Sequence, residues 1–492
     1  MDQAAFLEAI AARPDDDSPR LIFADWLEER GDPRGTFVRL QCTLERLPSD
    51  DPRRPALEDE ADRLLAAHQD EWAALLQGVT HGWRFRRGLV EWVEADGEAF
   101  LQHAPAWFAA FPLRGACLRL PPALMPELAA CPYLGRLESL AFRGYFLRDR
   151  QLRELLDSPQ LNRLTALDLN GHGIETVGVR ALAESALLPR LRTLDLGNNR
   201  AVGDQAVRTL ATASGAAGLH TLNLARTNLT PRGVSDLFGS AVLKGLRDLN
   251  VGAERRQDLL RHLEPIVESA VFQNLTALGM SNYDFSDPTE LRRVLGGSAG
   301  RGLVRLDLSD CGLGNAAAEV IAQSPRANGL RVLDLGRNPI GADGLQVLAD
   351  APGLASLSEL RMGHDVVRDT GVKALAASPH LTRLVVLDLG HNEIGGPGVQ
   401  ALAASPNSAG LRELDLSANY VGLGSVEALA SSPHLTRLQT LRLNANRLGD
   451  KAAAVLSAST HLSRRLRVEL KSDEPNAEAH RPAVLLGYTR RA

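Results

Sequence analysis

From residue 137 onward leucines recur in a fixed figure: leucine, two variable residues, leucine, one residue, a third apolar residue, two more, and then commonly asparagine. Its first leucine stands at 137, 164, 191, 219, 246, 275, 303, 330, 357, 384, 411 and 438, a period of 27 to 29 residues. Leucines two apart, such as Leu194 with Leu196 or Leu387 with Leu389, share one face of an extended chain, which predicts a short strand with leucines inward and the residue between them outward. A polar turn follows, and then a Gly-x-x-Gly-Val-x-x-Leu-Ala run, as in Gly395 to Ala403, predicts a helix that Ser-Pro ends at 378–379, 405–406 and 432–433. One strand and one helix cannot enclose their own leucines, so each unit must stack on its neighbours.

A degenerate unit precedes the twelve around Leu118 and Leu120, and another follows at Leu466, Val468 and Leu470. Asparagine fills the ladder position at Asn199, Asn338, Asn392, Asn419 and Asn446. Tyr145, His172, Thr227, Glu254, Tyr283, Cys311 and Asp365 stand there in other units. Departures cluster between Glu254 and Pro288, where ERRQDLLRHLEP replaces the Gly-Val helix start. That segment reads as a local irregularity or a partner-shaped bulge, with drift of a tolerant repeat as the other reading.

The first 110 residues follow a different pattern. Phe6, Leu7 and Ile10 lie at helical spacing before Pro14. A second helix is predicted from Ser18, with Pro19 in its first turn and Gly31 at its end, and its apolar face is Ile22, Phe23, Trp26 and Leu27. Phe37, Leu40, Leu44 and Leu47 predict a third helix. After the polar, proline-rich stretch PSDDPRRP, a longer helix is expected over 56 to 77, and WRFRRGLVEWVEAD (83 to 96) reads as short extended segments around Arg87-Gly88. The expected organisation is a helical module at 1–47, a linker, helix and N-terminal cap at 48–110, the repeat array at 111–470 and a tail at 471–492.

Two resemblances follow from these residues. The L-x-x-L-x-L-x-x-N figure with its long helical half resembles the leucine-rich repeat family, and the period is similar to that of its ribonuclease-inhibitor-like subclass. This implies an α/β solenoid, a right-handed horseshoe with parallel strands on the concave side and helices on the convex side, preceded here by a small all-α module. The string LIFADWLEERGDPRGTFVRLQ (21 to 41) resembles the short repeat-companion domain found at the N-terminus of many bacterial repeat proteins. That family implies company with repeats and no catalytic activity. Family consensus allows cysteine at the ladder position, which gives Cys311 a structural role.

Composition narrows the function classes. At 492 residues the chain exceeds a single ordinary core. Aromatic residues make up only 4%, which suits a core of repeated leucine, valine and alanine. A net charge of −5 provides no global field for a nucleic-acid backbone, so nucleic acid is not an expected partner. Cysteines at 42, 117, 131 and 311 form no C-x-x-C pair, so neither a zinc site nor a disulfide framework is expected. No signal peptide or membrane-length apolar run is seen, which predicts a cytoplasmic protein.

No P-loop, G-x-S-x-G or H-E-x-x-H motif occurs, and no cofactor, metal or enzymatic activity is expected. Asp25, Glu28, Glu29 and Asp32 share a helix face, but Arg30, Arg34 and Arg39 stand close in sequence, and an ion-paired face is the expected reading. His364 and His391 occupy one position in adjacent repeats after Arg337. They are expected to stack about 5 Å apart, either as a pH-responsive or anion-binding spot or as a solvated turn.

The outward strand position reads Asp168, Asp195, Asn223, Asn250, Gly279, Asp307, Asp334, Arg361, Asp388, Asp415 and Arg442. Like charges on neighbouring strands are unfavourable, so an acidic stripe is a candidate docking surface for a basic protein partner, with Asp168, Asp195, Asp307, Asp334, Asp388 and Asp415 contributing charge. Leu-Asp-Leu is also common in the family for structural reasons, and Arg361 and Arg442 interrupt the stripe. The sequence reading is a non-enzymatic protein-interaction scaffold. The alternative is a regulator of an enzyme, an inhibitor or a GTPase-activating protein.

Overall fold

The computed structural model describes residues 2–48, 51, 53–258, 263–296, 302–446, 448, 451–463 and 466–470. The chain divides into two compact units. Among the described residues, the first takes those up to Ala201 together with Ala213–Leu219, and the second takes Val202–Thr212 and those from His220 to Leu470. The expected tail at 471–492 lies outside the described residues, as do four residues of the irregular stretch between Glu254 and Pro288.

The first unit opens with four helices, α1 (Gln3–Ala12), α2 (Ser18–Glu28), α3 (Arg34–Arg46) and α4 (Arg54–Trp72). Phe6, Leu7, Ile10, Phe23 and Leu27 bury one core with Val38 and Cys42. Pro19 sits in the first turn of α2, but Ser18 does not cap it. Instead Ser18 donates its N–H to Asp16 Oδ1 at 2.9 Å. α2 and α3 approach so closely that a Cβ at Gly35 would lie 2.6 Å from the Ala24 carbonyl oxygen, so only glycine fits that crossing. The acids of this region do pair with the nearby arginines: Arg39 with Asp25 and with Glu28 at 3.2 Å, and Arg34 Nε with Asp32 Oδ2 at 2.9 Å.

A hairpin, β1 (Gly82–Arg86) and β2 (Leu89–Asp96), closes this module. Leu89 joins the first core, and Phe85 packs on a second that holds Phe37, Leu40, Leu44, Ala61 and Trp72. Three short helices alone would give a marginal core, and the hairpin and α4 complete it. His68 stacks on Trp72 at the edge of that core, ring centroids 5.2 Å apart. β2 then pairs in parallel with β3 (Gly115–Arg119), the degenerate unit, and β3 with β4 (Ser139–Phe142). The strands Ala166–Asp168 and Thr193–Asp195 continue the unit in register, Leu140 beside Leu167 and Leu167 beside Leu194.

Among its described residues the second unit carries ten three-residue strands, from Thr221–Asn223 to Arg467–Glu469, each pairing in parallel with the next in chain order. The last of them is the expected degenerate unit. The architecture is an α/β solenoid: each strand is followed by a turn and, in most units, by a helix such as Gly396–Ala404, and the leucines of neighbouring strands lie side by side and fully buried.

Three hydrogen-bond ladders hold neighbouring repeats together. In the first, the buried ladder asparagine donates to the preceding unit: Asn392 Nδ2 to the Met362 carbonyl at 2.6 Å, Asn419 to Leu389 at 2.9 Å and Asn446 to Leu416 at 2.8 Å. Substitutes find other routes. Cys311 Sγ donates to the Met280 carbonyl at 3.1 Å and Tyr283 Oη to the Val251 carbonyl at 3.1 Å. Cys311 is fully buried and burial pushes its thiol upward, as suits a structural thiol.

The second ladder was not foreseen in the Ser-Pro signal. Ser158, Ser240, Ser324, Ser378, Ser405, Ser432 and Ser459 each donate a hydroxyl to a carbonyl 29 residues earlier, at 2.5 to 2.7 Å. Each serine thereby satisfies a carbonyl at the end of the preceding unit's helix, a group that helix geometry leaves without a partner. Replacing Ser378 by alanine strands the Ala349 carbonyl and removes the acceptor for the His380 and Leu381 amides. We expect a loss of about 1–2 kcal/mol in urea unfolding followed by circular dichroism.

In the third ladder an acid or amide at a helix start accepts from the next unit. Asp369 Oδ1 takes the amides of Gly395 and Gly398 at 2.8 and 3.0 Å. A Cβ at Gly398 would lie 2.7 Å from that oxygen, which accounts for the glycine of the Gly-Val helix signal.

Among the described residues no helix is long and apolar enough to cross a membrane.

Candidate interaction surface

The strand residue between two inward leucines projects to the side of the sheet away from the core, and there its carboxylate has a local task. An aspartate at this position accepts the amide hydrogen two residues on: Asp168 from Asn170 at 2.9 Å, Asp195 from Gly197 at 2.8 Å, Asp307 from Ser309, Asp334 from Gly336 and Asp388 from Gly390 at 3.0 Å each, and Asp415 from Ser417 at 2.8 Å. Asn223 and Asn250 do the same with Ala225 and Gly252. A short side-chain acceptor closing the backbone turn suits Asp and Asn alike. The recurrence of Leu-Asp-Leu therefore has a structural cause in both units.

The two units differ in what remains of the carboxylates. In the first, Asp168 and Asp195 are each only 1% exposed, so the expectation that they face solvent is corrected. Arg143 Nη2 donates to Asp168 Oδ2 at 2.8 Å, Asn170 Nδ2 donates to Asp195 Oδ1 at 3.0 Å, and Asn198 Nδ2 donates to Asn170 Oδ1 at 2.9 Å. This network of neighbours from adjacent units covers both acids.

In the second unit the row is half-buried and open. Register places Asp307 beside Asp334, Asp334 beside Arg361, Arg361 beside Asp388, Asp388 beside Asp415, and Asp415 beside Arg442. Glutamates hold the arginines: Arg361 pairs with Glu359, two residues back on its own strand, and Arg442 lies 3.6 Å both from Glu413, two residues before Asp415, and from Glu469, the next member of the row itself. Residues two apart in a strand share a face, so Glu359 and Glu413 belong to this surface, and Glu469, between Val468 and Leu470, continues the row; strand alternation in the sequence is enough to find all three. Burial, and then the adjacent Asp415, push the Asp388 carboxyl up to about 6, against the pull of Arg361 and Arg442.

One step beyond this row, Arg337, His364 and His391 occupy left-handed backbone with φ of 63°, 64° and 57°. The two imidazoles stack at 3.8 Å between centroids, with planes 12° apart, closer than the strand spacing alone requires. Partial burial, His391 and Arg337 hold His364 down to about 4, and burial also lowers His391. Both rings are therefore neutral at physiological pH, which leaves Arg337 as the charged member of this spot. The in-plane lone pairs of stacked rings lie in two nearly parallel planes, so they do not converge on a shared metal. Replacing His391 by alanine should raise the His364 midpoint toward the ordinary value, since it removes both a cationic neighbour and part of the covering surface. Imidazole chemical shifts across a pH series would read the change.

The Leucine Rich repeat family model matches residues 161–183, 303–322, 329–349 and 378–403, each containing one of the helical or strand signals described above. The chain carries leucine-rich repeats. No curated protein matches it. Among solved structures, this leucine-rich repeat chain is similar to an internalin from Listeria monocytogenes, at 18% identity and a TM-score of 0.34, over 82% of this chain and 94% of that one. It is also similar to a chain from the Rad7 and Elc1 complex of yeast, at 16% identity and a TM-score of 0.49, over 90% and 94%.

Proposed function

We propose that this leucine-rich repeat protein is a non-enzymatic interaction scaffold that takes a basic segment of a protein partner on the sheet face of its second unit. In this reading Asp307, Asp334, Asp388 and Asp415 supply charge, and Arg361 and Arg442 set register. Asp168 and Asp195, whose carboxylates are covered, drop out of the contact set. The observation that carries the reading is the Asp388–Asp415 pair. The two acids are adjacent in register and partly exposed, each uses Oδ1 for its own turn, and no donor among the described residues takes either Oδ2. Like charges side by side are unfavourable, and a lysine or arginine from a partner would relieve them and fill the unused oxygens. The 27- to 29-residue period and the helical half-units support placement in the ribonuclease-inhibitor-like subclass. The 21–41 string supports a bacterial repeat-companion module, and four unpaired, buried cysteines support a reducing, cytoplasmic setting.

The test uses Asp388→Asn with Asp415→Asn, which keeps the turn acceptors and removes the charge. Proteins retained from a lysate by the parent chain, identified by mass spectrometry, should be lost by the variant. Capture by the parent chain should also weaken between pH 7 and pH 5, as Asp388 takes up a proton near 6. Equal capture by parent and variant would overturn the reading.

A further inference from the structure

Tyr145 and Phe146 expose aromatic rings where the fold itself does not need them. Tyr145 stands at the ladder position, and in the same unit His172 and Asn199 at that position are buried. Tyr145 is 48% exposed and Phe146 is 65% exposed. The following repeat is tied to Tyr145 through its backbone and not its ring, since His172 Nδ1 lies 2.7 Å from the Tyr145 carbonyl oxygen. The pair therefore contributes little to stacking and presents a large apolar surface to solvent.

The surroundings are flat and basic. Gly144, Gly171 and Gly173 all take left-handed backbone, with φ of 82°, 75° and 68°. A Cβ at Gly173 would lie 3.7 Å from both Phe146 Cδ1 and Arg148 Cγ, and one at Gly144 would lie 3.8 Å from Arg119 Cγ, so the ring pair is bordered by the two arginines over a surface without side chains. Arg148 has no carboxylate partner among the described residues, and Arg119 reaches Glu94 only at 3.4 Å. Arg143 is held by Asp168, and the nearby Asp149 spends Oδ1 on the Glu175 amide. Glu175 is exposed beside this surface, on the strand-to-helix turn of the next unit.

We infer that Tyr145, Phe146, Arg119 and Arg148 form a second docking surface, apart from the Asp388–Asp415 row, for an acidic peptide segment that carries an apolar anchor. Tyr and Arg are the residue types that dominate interface energetics, and a ring pair exposed beside the guanidinium of Arg148, which has no carboxylate partner among the described residues, and the loosely held one of Arg119 is complementary to carboxylates flanking a leucine or an aromatic residue. Single-stranded nucleic acid also stacks on aromatic rings next to arginine, but the net charge of −5 opposes it.

The experiment pans a random-peptide display library against the full chain and depletes it on a Phe146→Ser, Arg148→Ser variant. Recovered peptides should combine aspartate or glutamate with a central apolar residue. A synthetic consensus peptide should lose about tenfold or more in affinity on Phe146→Ala and on Arg148→Glu, weaken with added salt, and bind the Asp388→Asn, Asp415→Asn variant unchanged. The substituted side chains are exposed, and an unaltered tryptophan emission spectrum would verify that each variant is folded. Recovery of peptides without acidic residues, equal affinity for parent and Phe146→Ala, preference of the site for oligothymidylate, or concentration-dependent self-association abolished by Phe146→Ser would each overturn the inference.

Discussion

Replacing Arg20 by alanine is expected to destabilise the first unit by about 3–5 kcal/mol, because it leaves a buried carboxylate without its nearest partner. Arg20 is fully buried, and Glu91 is 4% exposed. Arg20 Nη2 donates to Glu91 Oε1, and Arg20 Nη1 donates to the Pro14 carbonyl at 2.7 Å, so one side chain joins the α1–α2 turn to β2. Arg114 reaches the other Glu91 oxygen at 3.7 Å and lies 3.0 Å from Asp15. Burial pushes Glu91 up from its ordinary range, and the pull of Arg20 and Arg114 opposes it. Without Arg20 the carboxyl rises further. A carboxyl whose folded midpoint lies above its unfolded one favours the folded state only while protonated, so stability is lost as pH rises above the unfolded value near 4. The defect should therefore be smallest at acid pH and grow toward neutrality. All five tryptophans lie between residues 26 and 107, in the first unit, so tryptophan emission during urea unfolding isolates the effect. An Arg20→Met, Glu91→Gln double variant should recover most of the loss, since no charge is then stranded. Equal unfolding midpoints for the parent and Arg20→Ala would show that the pair carries no such weight.

Replacing Asp365 by asparagine is expected to do the opposite and stabilise the second unit, by about 2–4 kcal/mol at pH 8. Asp365 occupies the ladder position and is buried. Its Oδ1 accepts the Asn338 amide at 2.8 Å, but its Oδ2 has no hydrogen-bond partner. In the neighbouring units the corresponding atom is an amide nitrogen that donates to carbonyls, as Asn338 Nδ2 does to Leu308 at 3.0 Å and Leu335 at 2.6 Å. A carboxylate cannot donate, while a protonated carboxyl can. Burial pushes Asp365 up to about 9, the Asn338 amide opposes this, and Asp334 and Asp388 add to it. The sign follows directly. The folded state holds the proton between roughly pH 4 and pH 9 and the unfolded state does not, so stability falls across that window as pH rises. Asparagine donates at every pH and removes the dependence. The gain from Asp365→Asn, measured by circular dichroism in urea, should be large at pH 8 and nearly vanish at pH 4. A gain independent of pH would mean that the carboxyl is not the protonated ladder member.

How much of this was legible in the chain depends on how far apart the deciding residues lie. The position of each strand, the inward leucines, the helical half-units and the two degenerate end units are set by residues within one period, and alternation over a few residues is enough to read them. Hairpin residues such as Leu89 and Phe85 could be recognised as extended, but their place in the cores of the N-terminal helices depends on contacts about 40 to 80 residues apart. The Ser-Pro signal was visible as a helix end. Its hydroxyl bond to a carbonyl 29 residues back is a contact between units, which periodicity within one unit cannot display.

The candidate surface divides in the same way. Local order assigns Asp168, Asp195, Asp388 and Asp415 to one outward row, and strand alternation is sufficient for that. Whether a carboxylate in that row meets solvent depends on the adjacent units: Arg143 and Asn170 cover Asp168 and Asp195, whereas Asp388 and Asp415 face each other with Oδ2 unused. The same holds for Tyr145, an ordinary ladder departure in the sequence whose ring is exposed while His172, one repeat on, meets its backbone carbonyl. Strand and helix pattern arise from short-range geometry that every repeat shares, while exposure and protonation arise from which side chain the next repeat places a few ångströms away.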